Sequence, residues 1–343
     1  MTKTIRAAIG GVALSALAAT GALAQDVTLR LHQFLPQQSG VPANILQPWA
    51  DRLEEQSSGR IAVEMFPAMS LGGAPPELID QAIDGIADVI WTVVGYTPGR
   101  FPSTEVFELP FFVESAEAAS CAYWTMFEER MAGTEFAEVK VLGTWVHGPG
   151  LLHTNTPVST PADMQGLQIR GGSRLVNRLL EVLGATPVGL PVPGVPEALS
   201  QGVIDGTTVP WEVTPSIRLT ELVTNHTEFT GPALYNLTFV LAMNRDTYES
   251  MPEDLRAIVD ANSGLDFSME AGRIQQSLDA APREAAIAAG NNVIVLDEAQ
   301  TQEWRDLAQP IYDEWVADMD GRGLDGQAMI DEARALMETC PAE

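Results

Sequence analysis

Among the residues whose chemistry could define a function, Arg170 has the most informative position. It closes the segment Leu167-Gln168-Ile169-Arg170, which reads as a strand, and a helix is expected from Arg174 to Leu183. A guanidinium at a strand end, beside the free backbone N–H groups that open a helix, is placed to hold an anion. Its planar fork matches a carboxylate through two parallel hydrogen bonds, which the point charge of lysine cannot imitate. Aromatic residues gather at other expected strand ends: Phe34, Trp91 and Tyr96 early in the chain, then Trp211, Tyr235 and Phe239. Ligands bind at the ends of parallel strands in open α/β sheets. One arginine walled by rings therefore points to a monocarboxylate with an apolar or aromatic body. His153 is a candidate neutral hydrogen-bond partner, and Asn236, Glu212 and Gln33 are weaker candidates for the ligand's other end. Arg174, one helical turn past Arg170, is expected to point to solvent; turned inward, it would serve a second carboxylate.

Catalysis would need a nucleophile with its base, a metal cluster or a cofactor cradle. The sequence contains no HExxH, GxSxG, P-loop or GxGxxG pattern. Its four histidines, His32, His147, His153 and His226, include no pair at helical i, i+3 or i+4 spacing, which leaves a zinc site without support. No metal, no cofactor and no enzymatic activity are expected. With 46 acidic residues in the chain, a nearby pair of carboxylates carries no information about acid/base chemistry. A secreted hydrolase is the alternative from another class.

The elements that must position these residues follow a regular grammar. Strands are expected at Val27 to Leu31, Ile61 to Phe66 and Ala87 to Trp91, with helices at Ala43 to Glu55 and from Pro75 to Ile83. That alternation means a parallel sheet flanked by helices. The same order returns about 120 residues later: strand to Arg170, helix to Leu183, strand Thr186 to Leu190, helix Val195 to Gln201. The turn Gly202-Val203-Ile204-Asp205 repeats Gly85-Ile86-Ala87-Asp88 of the first half. Two similar α/β lobes with a cleft between them are the simplest explanation. A further strand is expected at Leu237 to Met243, and helices from Pro252 onward include long stretches at Gly264 to Ala289 and Gln300 to Met319.

Several segments resemble the DctP-type substrate-binding proteins of tripartite ATP-independent periplasmic (TRAP) transporters. Thr160-Pro161-Ala162-Asp163-Met164-Gln165-Gly166-Leu167-Gln168-Ile169-Arg170 is similar to the family's "tPeDlkGlkiR" segment. The strand entry Leu183-Gly184-Ala185-Thr186-Pro187-Val188 and the turn Glu197 to Gly206 follow in the family's order, as do Gly95 to Pro102 and Met243-Asn244-Arg245. The resemblance implies a two-lobed periplasmic binding protein, type II-like, with a long helix crossing both lobes. It implies a first lobe of residues 26–148 plus about 240–282, and a second of 149–239 plus about 283–335. In the family the arginine at the position of Arg170 grips the ligand carboxylate, and the closed receptor delivers its ligand to membrane permease subunits. Well-known members often carry a second arginine in a "GfRq" segment. Here Trp145 to His153 has none, which puts a tightly held second carboxylate in doubt. Binding of a C4-dicarboxylate, keto acid or sugar acid by the same fold remains open, as does a ligand-sensing receptor role.

The N-terminus carries Lys3 and Arg6, an uncharged run from Ala7 to Ala24, and small residues at Ala22-Leu23-Ala24. These are the parts of a secretory signal peptide over residues 1–24, cleaved near Ala24, and they imply a periplasmic protein. Its removal leaves 17 basic residues against 46 acidic ones. Such a surface repels nucleic acid and anionic lipid, so an anion site must rest on a local, partly buried cation. The remaining chain, about 320 residues and 45% hydrophobic overall, is long enough for two domains, and a monomer is expected. The only two cysteines, Cys121 and Cys340, are expected to pair in an oxidising compartment.

Overall fold

A computed structural model describes residues 26–340; the signal peptide expected over residues 1–24 lies outside them. The described residues form strands β1 (Val27–His32), β2 (Ile61–Phe66), β3 (Val89–Val93), β4 (Val139–Val146), β5 (Leu151–Thr154) and β6 (Gln168–Gly171). They continue with β7 (Thr186–Gly189), β8 (Gly206–Val209), β9 (Asn225–Glu228), β10 (Thr238–Asn244) and β11 (Asn292–Val295). These make two sheets, ordered β2-β1-β3-β10-β4 and β11-β9-β5-β8-β6-β7. Each sheet is the centre of one α/β lobe.

The repeated Gly-apolar-apolar-Asp turn sets the register in both lobes. Gly85 and Gly202 end their helices with φ of 70° and 67°, a region glycine enters without a Cβ penalty. The aspartate that follows then docks the neighbouring strand. Asp88 Oδ2 accepts from the Arg30 backbone N–H of β1 at 2.8 Å, and Asp205 Oδ2 accepts from the Gln168 N–H of β6 at 2.8 Å. β3 and β8 are thereby laid parallel to β1 and β6. The sheets are nevertheless mixed rather than purely parallel. β10 runs antiparallel to β3 and β4, and β5 runs antiparallel to β8 and β9. Both strands lie where the chain has just crossed from the other lobe, and it therefore enters the sheet from the opposite end.

Before the C-terminal return to the first lobe, three segments cross between the lobes: 147–150, 229–237 and the junction at 278–279. The expected long helix over Gly264 to Ala289 is divided at this last junction into Leu265–Ser277 and Ala280–Ala288. Pro282 explains the division. It lacks the N–H that would bond to the carbonyl of Leu278, and its ring crowds that same carbonyl. The first helix packs on β4 and on the helix Ala116–Met126, while the second packs on the turn Trp211–Ile217 of the other lobe. The expected helix from Gln300 to Met319 is likewise two, Glu298–Ala308 and Pro310–Gly321, with the break at Pro310. β11 adds a strand in a region expected to be helical.

The C-terminal helix Gly326–Thr339 returns to the first lobe and packs on Ala116–Met126, so the second lobe does not run to residue 335. A disulfide joins Cys121 of that helix to Cys340, with Cα atoms 6.0 Å apart and a sequence separation of 219. Closing so long a loop removes unfolded-state freedom equivalent to about 5 kcal/mol. Reduction is expected to lower the melting temperature by several degrees and to make residues 326–340 the first site of limited proteolysis. Native mass spectrometry with alkylation should find no free thiol before reduction; two alkylated cysteines in the unreduced protein would contradict the bond.

Candidate ligand-binding site

Between the two sheets lies a narrow cavity of about 30 Å³, walled mainly by rings and aliphatic side chains. The first lobe contributes Phe34, Trp91, Val93, Tyr96 and Phe239; the second contributes Arg170, Val192, Val209, Glu212 and Val213. The crossing segments add His147, Tyr235 and Leu237. Phe34 stacks on Trp91 with centroids 4.6 Å apart, and Trp91, Trp145 and Phe239 form a nearly parallel set behind it. Seven of these wall residues, Phe34, Trp91, Tyr96, Arg170, Glu212, Tyr235 and Phe239, are ones that the sequence suggested.

Arg170 is completely buried. Its Nε donates to the Leu190 carbonyl at 2.7 Å and its Nη1 to the Thr208 carbonyl at 3.0 Å. These bonds hold the guanidinium plane in place, while Nη2 has no protein partner. Tyr96 and Tyr235 both lie within the field of this charge, although burial dominates and raises both phenols above the ordinary value. Tyr96 Oη accepts from the Val192 N–H at 3.0 Å and so links the two lobes at the arginine. Tyr235 Oη, also buried, has no protein partner. One cationic N–H group and one phenol are thus available to an anion in a water-poor space, where a charge-assisted hydrogen bond is strong.

His147, not His153, is the histidine of the cavity. Its Nδ1 donates to the Gly148 carbonyl at 2.5 Å, and its Nε2 accepts from the Leu237 N–H at 3.0 Å. Burial lowers its pKa to about 4, helped by the Arg170 charge, so the ring is neutral and both nitrogens are engaged. His153 sits inside the second sheet, with its Nδ1 2.7 Å from His226 Nδ1 and its Nε2 bonded to the Val209 carbonyl. Burial, with His226 alongside, pushes its pKa well below the usual value.

Trp211 also turns away from the cavity. Its ring packs against His153 and His226, and its Nε1 donates to Glu228 at 2.8 Å. After Pro210 the chain enters a tight turn, and Trp211 and Glu212 leave it on different sides; Glu212 is the one that faces the cavity. Asn236 and Gln33 are structural: Asn236 Nδ2 donates to the carbonyls of His147 and Gly148, and Gln33 bonds both ways with the backbone of Leu35. Arg174 is half-exposed and paired with Glu105 and Asp318, outside the cavity. The sequence reading did not find Val192, Val209, Val213 or Leu237, because apolar residues at such positions carry no signal apart from packing. The position of His147 just after β4 is a signal that could have found it.

A pair of α/β lobes sealing one arginine among aromatic walls defines a two-lobed ligand-binding protein. A family model described as DctP, bacterial extracellular solute-binding protein family 7, matches residues 35–318, and the chain belongs to this family. Its members are extracytoplasmic receptors that serve TRAP permeases, and they are not enzymes. Among the described residues no helix is long and apolar enough to cross a membrane. The chain is 48% identical to a TRAP solute-binding protein from Rhodoferax ferrireducens T118 in complex with copurified benzoate; the match covers 91% of this chain and 98% of that one, with a TM-score of 0.89. It is 39% identical to a marine metagenome TRAP protein specific for aromatic acid ligands and co-crystallised with 3-hydroxybenzoate, over 93% and 100% of the two chains at a TM-score of 0.90. A TRAP protein from Bordetella bronchiseptica with bound (R)- and (S)-mandelate matches at 30% identity, over 92% and 99%, with a TM-score of 0.85.

Glu212 gives the site a pH dependence. Burial raises its pKa to about 7, against the bond that its Oε1 accepts from Gln275 Nε2 at 2.7 Å. The folded state therefore holds this proton more tightly than the unfolded chain does. The resulting stability is complete below the ordinary carboxyl range and is lost as pH rises towards 7, by an amount on the order of 3 kcal/mol. Glu212→Gln removes that loss. Its melting temperature relative to the parent protein should be higher at pH 8 than at pH 5; a difference independent of pH would show that Glu212 is not held protonated by burial.

Proposed function

We propose that this chain captures an aromatic or otherwise apolar monocarboxylate between its lobes and, as a monomer, delivers it to a TRAP permease from the periplasmic side. The observation that carries this reading is the buried Arg170, with an unpartnered Nη2, at one end of a cavity whose other walls are mostly rings. The carboxylate would accept from Arg170 Nη2 and Tyr235 Oη, while the ligand body lies against Phe34, Trp91 and Phe239. The benzoate, 3-hydroxybenzoate and mandelate bound by the three similar proteins support the same class.

Dicarboxylates fit the wall less well. Apart from Arg170 its only other basic side chain is His147, which is neutral and fully bonded, and the remaining ionisable wall group of comparable reach is the acid Glu212. A second carboxylate would lose its hydration without gaining a cation. Closure follows from differential contact: Phe34 and Trp91 belong to one lobe and Arg170 to the other, and only the closed form brings both to one ligand.

A thermal-shift screen of aromatic acids, C4-dicarboxylates, keto acids and sugar acids tests this reading. At a ligand concentration of about 100 Kd, binding should add about 2.7 kcal/mol of stability, a readily visible shift. Benzoate-like acids should stabilise the protein and succinate should not; the reverse would overturn the ligand class while leaving the receptor fold in place. By calorimetry, Arg170→Ala should weaken binding by about 2 to 5 kcal/mol and Arg170→Lys by less, because lysine keeps the charge but cannot keep both backbone carbonyls and the ligand. Unchanged affinity would remove Arg170 from the site.

A further inference from the structure

The cavity has a second polar end. Arg170 is bonded to the Leu190 and Thr208 carbonyls within the second sheet, whereas Glu212 is bonded to Gln275 and Asp279 at the junction of the two lobes. The Glu212 carboxyl is held from behind. Trp145 Nε1 donates to Gln275 Oε1 at 2.7 Å, and Gln275 Nε2 donates to Glu212 Oε1 at 2.7 Å. The other oxygen, Oε2, is buried and has no protein partner. It lies close against Gly40, where a Cβ would stand 2.5 Å from it. The Trp91 indole N–H is a second buried polar group of the same wall without a protein partner.

We propose that Glu212 is a specificity-determining residue that, in its ionised form, accepts a hydrogen bond from a hydroxyl on the ligand ring, so that the preferred ligands are hydroxylated aromatic acids. The inference rests on the aromatic-acid reading of the site and adds a requirement at the end remote from the carboxylate. A buried carboxyl oxygen without a donor is costly, and a ligand ring bearing only hydrogen or methyl there leaves it so. A hydroxyl supplies the donor for Glu212, and its oxygen can accept from the Trp91 indole. A second carboxylate placed at this end would face the acid instead. Glu212 thus favours the hydroxyl and opposes the dicarboxylate through the same oxygen.

The test uses the mature protein, unfolded and refolded to free it of copurified ligand, and calorimetry at pH 8, where Glu212 is ionised, with 3- and 4-hydroxybenzoate against 3- and 4-methylbenzoate. Hydroxyl and methyl are close in size, so the ratio of affinities isolates the hydrogen bond. At least one hydroxy isomer should bind about 10-fold or more tightly than its methyl counterpart. In Glu212→Leu that ratio should fall below about 3-fold. Glu212→Gln keeps the shape and a weaker, neutral acceptor; it covers the case in which leucine is not tolerated, and should reduce the ratio by about 3-fold or more. Methyl isomers binding as well as hydroxy isomers in the parent protein, or a ratio that survives in the variants, would overturn the proposal while leaving the aromatic-acid reading intact. If the parent protein binds none of the four acids, the broader reading fails and takes this one with it.

Discussion

Arg170 holds a full charge with no surface in contact with solvent, and much of the second lobe is arranged to make that tolerable. Burying an isolated ion is prohibitive, so its N–H groups must meet acceptors. The Leu190 and Thr208 carbonyls supply two, from the chain just after β7 and from β8, the strands on either side of its own strand β6. The guanidinium therefore ties three neighbouring strands together as well as facing the cavity. A residue needed for both the sheet and the site explains why its sequence context is so regular.

The hinge and the cavity are one network. Gln275 sits near the end of the helix Leu265–Ser277, just before the break, and joins Trp145 of the first lobe to Glu212 of the second. Asp279, immediately after the break, accepts from the Glu212 backbone N–H at 2.8 Å. Its own carboxyl is pushed well above the usual range by burial, with the charge of Glu212 adding to the effect. The junction where the lobes pivot is thus bonded by side chain and backbone to a residue that lines the cavity. Arg174 with Glu105 and Tyr96 with Val192 add cross-lobe contacts near Arg170.

The lobes and the arginine are legible in the sequence because both rest on local grammar: a glycine needing positive φ, an aspartate bonding one strand away, and a cation closing a strand. What is hidden depends on which way a side chain leaves an irregular turn. Trp211 and Glu212 are adjacent, and strand alternation cannot assign their directions once Pro210 has ended β8. His147 and His153 are both near strand ends, yet β4 ends at the cavity while His153 is inside β5. The break in the crossing helix, by contrast, is written plainly: Pro282 stands four residues after the carbonyl it cannot bond. The mixed sheets are not written locally at all, since the direction of β5 and β10 is decided by which lobe the chain has just left.

The closure of the cavity has a kinetic consequence. With Arg170 fully buried and the rings packed across the cleft, a bound molecule has no path out that leaves the lobes in place. Its escape rate cannot exceed the rate at which the lobes part, whatever its contacts inside. Molecules of different affinity then share one upper limit on release. A membrane partner that pulls the two lobes apart raises that limit for all of them, so unloading speed belongs to the hinge at Leu278 and Asp279 and residence within the open form belongs to the ligand.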